Sequence, residues 1–220
     1  MMATRSRPAP GGGRMVDVAP DRLTGWVNRF VAGHAGATEP QVVDDAVVIR
    51  AGDGSTASIE VPYPPLRLDG MEPLEAVLAH LEGIGTIGML LFRAGAHSVG
   101  LCKDRTVLAS STDRHYVQGR TAAGGWSQQR YARRRGNQLS HAQQEAASDA
   151  ARVWSTVTPD VLLLAGDRKA ISGVLEDPRL TRFLALPTRA IGDIPEPRRS
   201  VLDDVAARSL DVTVVIRDPS

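Results

Sequence analysis

Between Arg114 and Arg135 the chain reads RHYVQGRTAAGGWSQQRYARRR, with six arginines and not one Asp or Glu. No other stretch limits the possible folds as much. Guanidinium groups are rarely buried, and six of them without counter-ions repel one another in any compact arrangement. The segment must therefore lie at the surface, joining elements instead of filling the space between them. At its centre, Gly124-Gly125-Trp126-Ser127-Gln128-Gln129 makes a neutral, flexible tip rich in hydrogen-bonding groups. The whole chain has formal net charge +1, so the positive charge gathered here is cancelled elsewhere. Arginine forks match phosphate oxygens two at a time, and phosphate neutralisation drives most non-specific nucleic-acid affinity. RNA or DNA backbone is the expected counter-ion. A solvated charge run around a glycine turn is the plain alternative, but such a turn needs neither amide side chains nor a tryptophan at its apex.

The remaining composition excludes several classes. With 220 residues, 42% hydrophobic and 23% charged, the chain fits an ordinary globular protein of one domain plus a smaller one. The longest apolar run, Ile87 to Phe92, is a strand's length and far below the ~20 residues that cross a bilayer. The opening MMATRSRPAPGGGR has no apolar segment after its arginines and does not read as a secretory signal. Met15 is a second candidate start. The lone Cys102 sits in an alternating apolar stretch, as a buried inert thiol would, and cytoplasmic localisation follows. Arginine outnumbers lysine 24 to 2, so some arginines are simply this chain's default cation.

Periodicity divides the chain. Residues 1–15 are expected to be a disordered tail, with Gly11-Gly12-Gly13 as flexible linker. From Asp21 to about Ala35, Leu23, Trp26, Val27, Phe30 and Val31 mark an amphipathic helix. Val42–Arg50 and Thr56–Val61 flank Ala51-Gly52-Asp53-Gly54-Ser55 as a hairpin, closed by Pro62, Pro64 and Pro65. A second helix runs from Pro73 to about Glu82. Residues 16–83 thus form a small N-terminal α+β domain, and residues 84–220 a second one.

The second domain opens with a meander: Ile87–Arg93, His97–Lys103 and Thr106–Ser111, then a fourth strand at Arg114–Gln118 leading into the glycine tip. Ser140 with Gln143 three residues on reads as a capping box starting a helix, with Ala142, Ala146, Ala150, Val153, Trp154 and Val157 inward and Pro159 as its stop. A strand at Val161–Ala165, helices at Lys169–Leu175 and Ser200–Leu210, and a strand at Val212–Ile216 follow. The fold class is α/β (α+β), a mixed sheet flanked by helices.

Several chemistries leave no trace. The five histidines are scattered and there is one cysteine, so zinc is disfavoured. Neither GxxxxGK[ST] nor GxSxG occurs. Two-metal nucleases cluster carboxylates on central strands, and Gly88-Met89-Leu90-Leu91-Phe92 offers none; Asp44-Asp45 and Asp203-Asp204 read as surface or capping acids. No metal, cofactor or membrane is called for. A neutral glutamine amide is no useful general base, yet it can hold a water with one acceptor and two donors. That suits an electrophile already activated, such as an ester between a peptide and a ribose hydroxyl, where positioning and electrostatics contribute without proton transfer by protein. Gly124 and Gly125 would permit close backbone approach where a Cβ would clash.

Gly124-Gly125-Trp126-Ser127-Gln128, framed by Arg120 and by Arg130, Arg133, Arg134 and Arg135, resembles the catalytic loop of the Vms-like branch of the eukaryotic and archaeal class I release-factor relatives. The fuller string YVQGRTAAGGWSQQR, Tyr116 to Arg130, is similar to the actinobacterial members. The resemblance covers about Ile84 to Ile216. It implies a ribonuclease-H-like fold without nuclease carboxylates, and peptidyl-tRNA hydrolysis on stalled large ribosomal subunits. Catalysis would fall to Gln128 with Gly124 and Gly125. RNA binding would fall to Arg120, Trp126, Ser127, Gln129, Arg130, Arg133, Arg134 and Arg135. Trp126 separates the glycines from Ser127-Gln128, so Gln129 remains a rival for the catalytic position, and Trp126 could stack on a base or pack under its own loop. The zinc-finger and repeat regions of the eukaryotic relatives have no match here, nor does a stop-codon-reading domain. A tRNA acceptor-end endonuclease and a non-catalytic ribosome or RNA-binding adaptor are the rival functions.

Overall fold

The computed structural model describes residues 6–114 and 126–219; the side chains of residues 126–132 and of 135 fall outside that description. Eleven strands and five α-helices follow one another among the described residues. In chain order they begin β1 (Ser6–Pro8), β2 (Arg14–Val18), α1 (Pro20–Gly33), β3 (Gln41–Val43), β4 (Ala46–Arg50), β5 (Thr56–Glu60) and α2 (Pro73–Glu82). Next come β6 (Ile87–Arg93), β7 (Ala96–Lys103), β8 (Thr106–Arg114), α3 (Trp126–Trp154), β9 (Val161–Gly166) and α4 (Arg168–Leu175). A 3-10 helix (Pro178–Phe183), β10 (Thr188–Ile191), α5 (Arg199–Ala207) and β11 (Val212–Arg217) complete the chain. The backbone forms two compact units, residues 1–84 with 210–220, and residues 85–209.

In the first unit six strands form one antiparallel sheet in the order β1-β2-β11-β5-β4-β3. Period-two alternation puts Val16, Val18, Val47, Ile49, Ala57, Ile59, Val212, Val214 and Ile216 on one face, all buried. Leu23, Val27 and Phe30 of α1 and Val77 and Leu81 of α2 cover that face. Both helices start on a proline, whose missing N–H would have no intrahelical partner anyway. The His80 ring Nε2 lies 2.9 Å from the Pro62 carbonyl oxygen, tying α2 to the chain just past β5.

Three expectations change here. The segment taken for a disordered tail holds β1, and its Gly11-Gly12-Gly13 is the turn returning the chain into β2, with all three glycines at positive φ. Arg7 then bonds Asp17 across the pair at 2.5 Å. Val42–Arg50 is two strands, β3 and β4, folded back at Asp44, which adopts φ 53°. The last strand, placed with the second domain on chain order alone, lies in the first unit between β2 and β5. The physical reason is hydrogen bonding: β2 and β5 do not pair with each other, and β11 satisfies the facing backbone groups of both.

The second unit is a five-stranded mixed sheet in the order β10-β9-β6-β7-β8, with β6, β7 and β8 antiparallel and β6, β9 and β10 parallel. The central strand β6 is buried along Ile87–Phe92, which is why it reads as a continuous apolar run. On one face Leu90, Phe92, Val99, Leu101 and Leu162 pack against α3, α4 and the 3-10 helix through Ala142, Ala146, Ala150, Trp154, Ile171, Val174, Leu180 and Phe183. Gly100 permits α5 to close on the other face, since a Cβ there would come within 3.0 Å of Leu202. Cys102 is buried, and burial pushes its thiol pKa up, as expected for an inert sulfur.

The predicted fourth strand is not separate: β8 runs without a break from Thr106 to Arg114, and residues 115–118 lie outside the described residues. Ser140 is no helix start, because α3 is continuous from Trp126 to Trp154. The intervening WSQQRYARRRGNQL lacks proline, and a helix tolerates the single Gly136 at about 1 kcal/mol. Val157 lies past the end of α3 and is exposed, not inward. The 3-10 helix and β10 were absent from the sequence reading.

Ending the chain at Ser209 removes β11, the strand that bridges β2 and β5. The first unit should then lose its hydrogen-exchange protection while β6, β7 and β9 keep theirs; protection lost uniformly, or retained in β2 and β5, would contradict this partition.

Candidate RNA-facing site

The segment singled out by charge begins where β8 leaves the edge of the second sheet and ends in the first turns of α3. At its root the exposed Arg114 guanidinium lies 3.2 Å from a Glu196 carboxylate oxygen. Arg120, Gly124 and Gly125 lie outside the described residues. The backbone of Trp126, Ser127, Gln128, Gln129 and Arg130 opens α3. Part of the expected tip is thus helical. No acid occupies the first turn, whose N–H groups have no intrahelical acceptors and favour negative charge.

Further along, α3 is held firmly. Ala142, Ala146, Ala150, Val153 and Trp154 are all buried, a small-residue seam that lets the helix lie close to the sheet. The Trp154 indole donates to the Gly100 carbonyl oxygen at 3.1 Å and meets Phe183 edge-on, with centroids 5.2 Å apart. Truncating a buried indole of this kind to Ala typically costs about 3–5 kcal/mol. Gln143 donates from Nε2 to the Ala170 carbonyl oxygen at 3.0 Å, against Gly173, where any Cβ would collide with that amide. Asp167 caps α4, its carboxylate accepting from the Ala170 N–H at 3.1 Å.

A polar anchor adds to the seam. The fully buried His97 ring on β7 lies 3.0 Å from an Asp149 carboxylate oxygen on α3, and Arg152 donates to the other oxygen at 2.6 Å. Burial pushes the Asp149 carboxyl up, but hydrogen bonds from His97, Arg152 and Ser111 outweigh it and hold the group below its ordinary value.

Between the seam and the helix start lies the cationic part. Arg133 and Arg134 are exposed, as are Asn137 and His141. With the half-buried Gln138 these residues line one shallow hollow on the surface of α3. The expected pair Arg133 and Arg134 therefore comes together, and three further residues join it. Asn137, Gln138 and His141 were missed because the helix was taken to start at Ser140; four-residue spacing from Arg133 and Arg134 was the available signal. Among the described residues no group of three or more His, Cys, Asp or Glu could hold a metal ion, and no helix is long and apolar enough to cross a membrane.

Residues 85–215 match the model of the Actinobacteria/chloroflexi VLRF1 release-factor family. The chain belongs to that family. The VLRF1 match covers all of β6 to α5, including the whole mixed sheet and α3. Among solved structures the chain is similar to the Vms1 mitochondrial localization core, with 10% identity and TM-score 0.44, covering 91% of this chain and 84% of that one. It is also similar to the archaeal translation termination factor aRF1, with 13% identity and TM-score 0.37, covering 73% of this chain and 48% of that one. Archaeoglobus fulgidus Pelota shares 11% identity at TM-score 0.32, covering 96% of this chain and 67% of that one. No curated protein matches the sequence.

The His97–Asp149 anchor has a pH signature. Because the Asp149 pKa is lowered on folding, its contribution is complete above the ordinary value near 3.8 and is lost as pH falls through the lowered one. Asp149→Asn should reduce stability by about 1.5–3 kcal/mol at neutral pH, as expected for hydrogen bonds to a charged group. The gap to the unmutated protein should begin to narrow below the ordinary value and vanish only below the lowered one. Urea unfolding at neutral and strongly acidic pH measures it, and a gap independent of pH would refute the assignment.

Proposed function

We propose that the protein is a peptidyl-tRNA hydrolase that frees nascent chains from stalled large ribosomal subunits. One coincidence carries the reading. Within the residues matching a release-factor family, a Gly-Gly-x-x-Gln motif passes directly into a helix whose next turns expose arginines and no acid.

The reaction asks little of the protein. Water adds across the acyl ester: a bond forms from water oxygen to the peptide carbonyl carbon, the bond from that carbon to the ribose oxygen breaks, and the departing ribose oxygen takes a proton released by the water to become a hydroxyl. The Gln128 amide accepts from the water and directs its lone pair at the carbonyl, with Gln129 as the rival for that role. Gly124 and Gly125 let backbone approach the crowded acceptor end. Arg120, Arg130, Arg133, Arg134 and Arg135 hold RNA phosphates, with Trp126 and Ser127 beside the reacting end. Alignment and fixed dipoles together supply several kcal/mol of barrier lowering without a protein base. The first-turn amides of α3 favour the oxyanion for the same reason that helix N-termini favour anions. Action would be independent of the codon and would take place in the cytoplasm.

Purified protein should release peptide from peptidyl-tRNA on large subunits. Gln128→Ala should reduce release by at least a hundredfold, the scale of losing one transition-state contact, while subunit binding persists; Gln129→Ala should act mildly. Normal release by the first variant with failure of the second would transfer the role to Gln129. A shortened tRNA still carrying its peptide would replace hydrolysis of the ester by RNA cleavage, and binding with no product at all would reduce the protein to an adaptor.

A further inference from the structure

α3 changes character at Ala142. From there to Trp154 one side of the helix is buried in the core. Before it, no described side chain from Arg133 to His141 is buried. The two halves are also rotated in use. At about 100° per residue, Arg133, Arg134, Asn137, Gln138 and His141 fall within an arc of about 140°, with Leu139, Ala142, Ala146 and Ala150 on the opposite side. Leu139 does pack partly against the core, so the arc carrying the five polar residues is the one turned outward. Those five line a single shallow hollow. From Arg114 to Gln144 the chain contains no Asp or Glu, so the Arg133–Arg134 end of the hollow is positive, while the exposed Glu145 stands one turn beyond its His141 end.

Resting on the reading that this surface meets RNA, we infer that the hollow receives the sugar–phosphate backbone of double-helical RNA. Arg133 and Arg134 take phosphates, and Asn137, Gln138 and His141 take ribose 2′-hydroxyls. Residue chemistry divides the labour. Phosphate oxygens only accept, so arginine, which only donates, satisfies them completely. A 2′-hydroxyl both donates and accepts, and asparagine and glutamine amides offer both functions, as does a neutral imidazole. An amide facing phosphate would leave its carbonyl without a donor. The five residues of the hollow favour a duplex: single strands are held by bases stacked on aromatic rings, and none of these five is Trp, Tyr or Phe. A continuous helix also presents its groups at regular intervals, one turn every ~5.4 Å, which suits a regular duplex backbone better than a pliable strand. Such contacts ignore base sequence and distinguish RNA from DNA.

Anisotropy titrations of the full chain against an RNA hairpin, the DNA hairpin of the same sequence and a single-stranded RNA test this. The unmutated protein should prefer the RNA hairpin to both others. The triple variant Asn137→Ala, Gln138→Ala, His141→Ala should lose about tenfold on the RNA hairpin, the equivalent of about 1.4 kcal/mol, bringing its affinity close to that for the DNA hairpin. The exposed Asn137→Ala alone should move the same way, which guards against a folding defect in the triple variant; matching urea midpoints confirm this. Arg133→Ala with Arg134→Ala should weaken both hairpins together and flatten the salt dependence by roughly two phosphates' worth. A preference for RNA over DNA that survives the triple substitution, or a preference for the single strand, overturns the inference. The hydrolase reading fails separately: normal peptide release by both Gln128→Ala and Gln129→Ala removes it and leaves the hairpin preference untouched.

Discussion

The second unit is organised around α3, and α3 around a conflict between burial and charge. Alanines at 142, 146 and 150, with Val153 and Trp154, lie against the sheet at a spacing that only a continuous helix produces. The arginines at 133 and 134 cannot be treated that way, since burying an unpaired guanidinium costs far more than an alanine seam returns. The helix resolves the conflict along its length. Its later turns are fixed to β7 by the Trp154 and Asp149 contacts, and Arg133, Arg134 and Asn137 of its earlier part remain in solvent. A fixed base and an exposed cationic extension suit a segment that must be oriented by the protein yet face something outside it.

Under the proposed function, a sheet with no carboxylate on β6, β7 or β9 would still support a hydrolytic site. The sheet contributes rigidity instead of reacting groups. In the proposed reaction the electrophile arrives activated, so precise delivery of one amide and one water outweighs any protein acid or base. Electrostatics then act at two distances. In that proposal guanidinium groups would select and hold the polyanion, while helix-terminal N–H groups and the glutamine would act where charge develops.

Much of the second unit could be read from local pattern. β6 announced itself as an uninterrupted apolar run, β7 and β8 as an antiparallel continuation, and α4 as a short helix at Lys169–Leu175. What misled was punctuation. Ser140 with Gln143 has the spacing of a capping box, yet both lie inside a helix already under way; Gln143 spends its amide on Ala170 instead of on its own backbone. A cap signal is local, whereas the decision to continue a helix depends on whether a neighbouring element holds it. The same error hid Asn137, Gln138 and His141, which become one face only when the helix is carried back to Trp126.

By itself the sequence determined that Arg114, Arg133 and Arg134 lie outside any core, that Val, Ile and Leu at period two make strands, and that Leu23, Val27 and Phe30 make one helix face. These follow from charge repulsion, pleat and helical pitch, all of which act between near neighbours. Tertiary structure alone decided that Val212–Arg217 returns to the first sheet between β2 and β5, and that Ser6–Pro8 is a strand and not a tail. Strand pairing joins residues far apart in the chain through backbone groups every residue shares, so side-chain order carries no record of the partner.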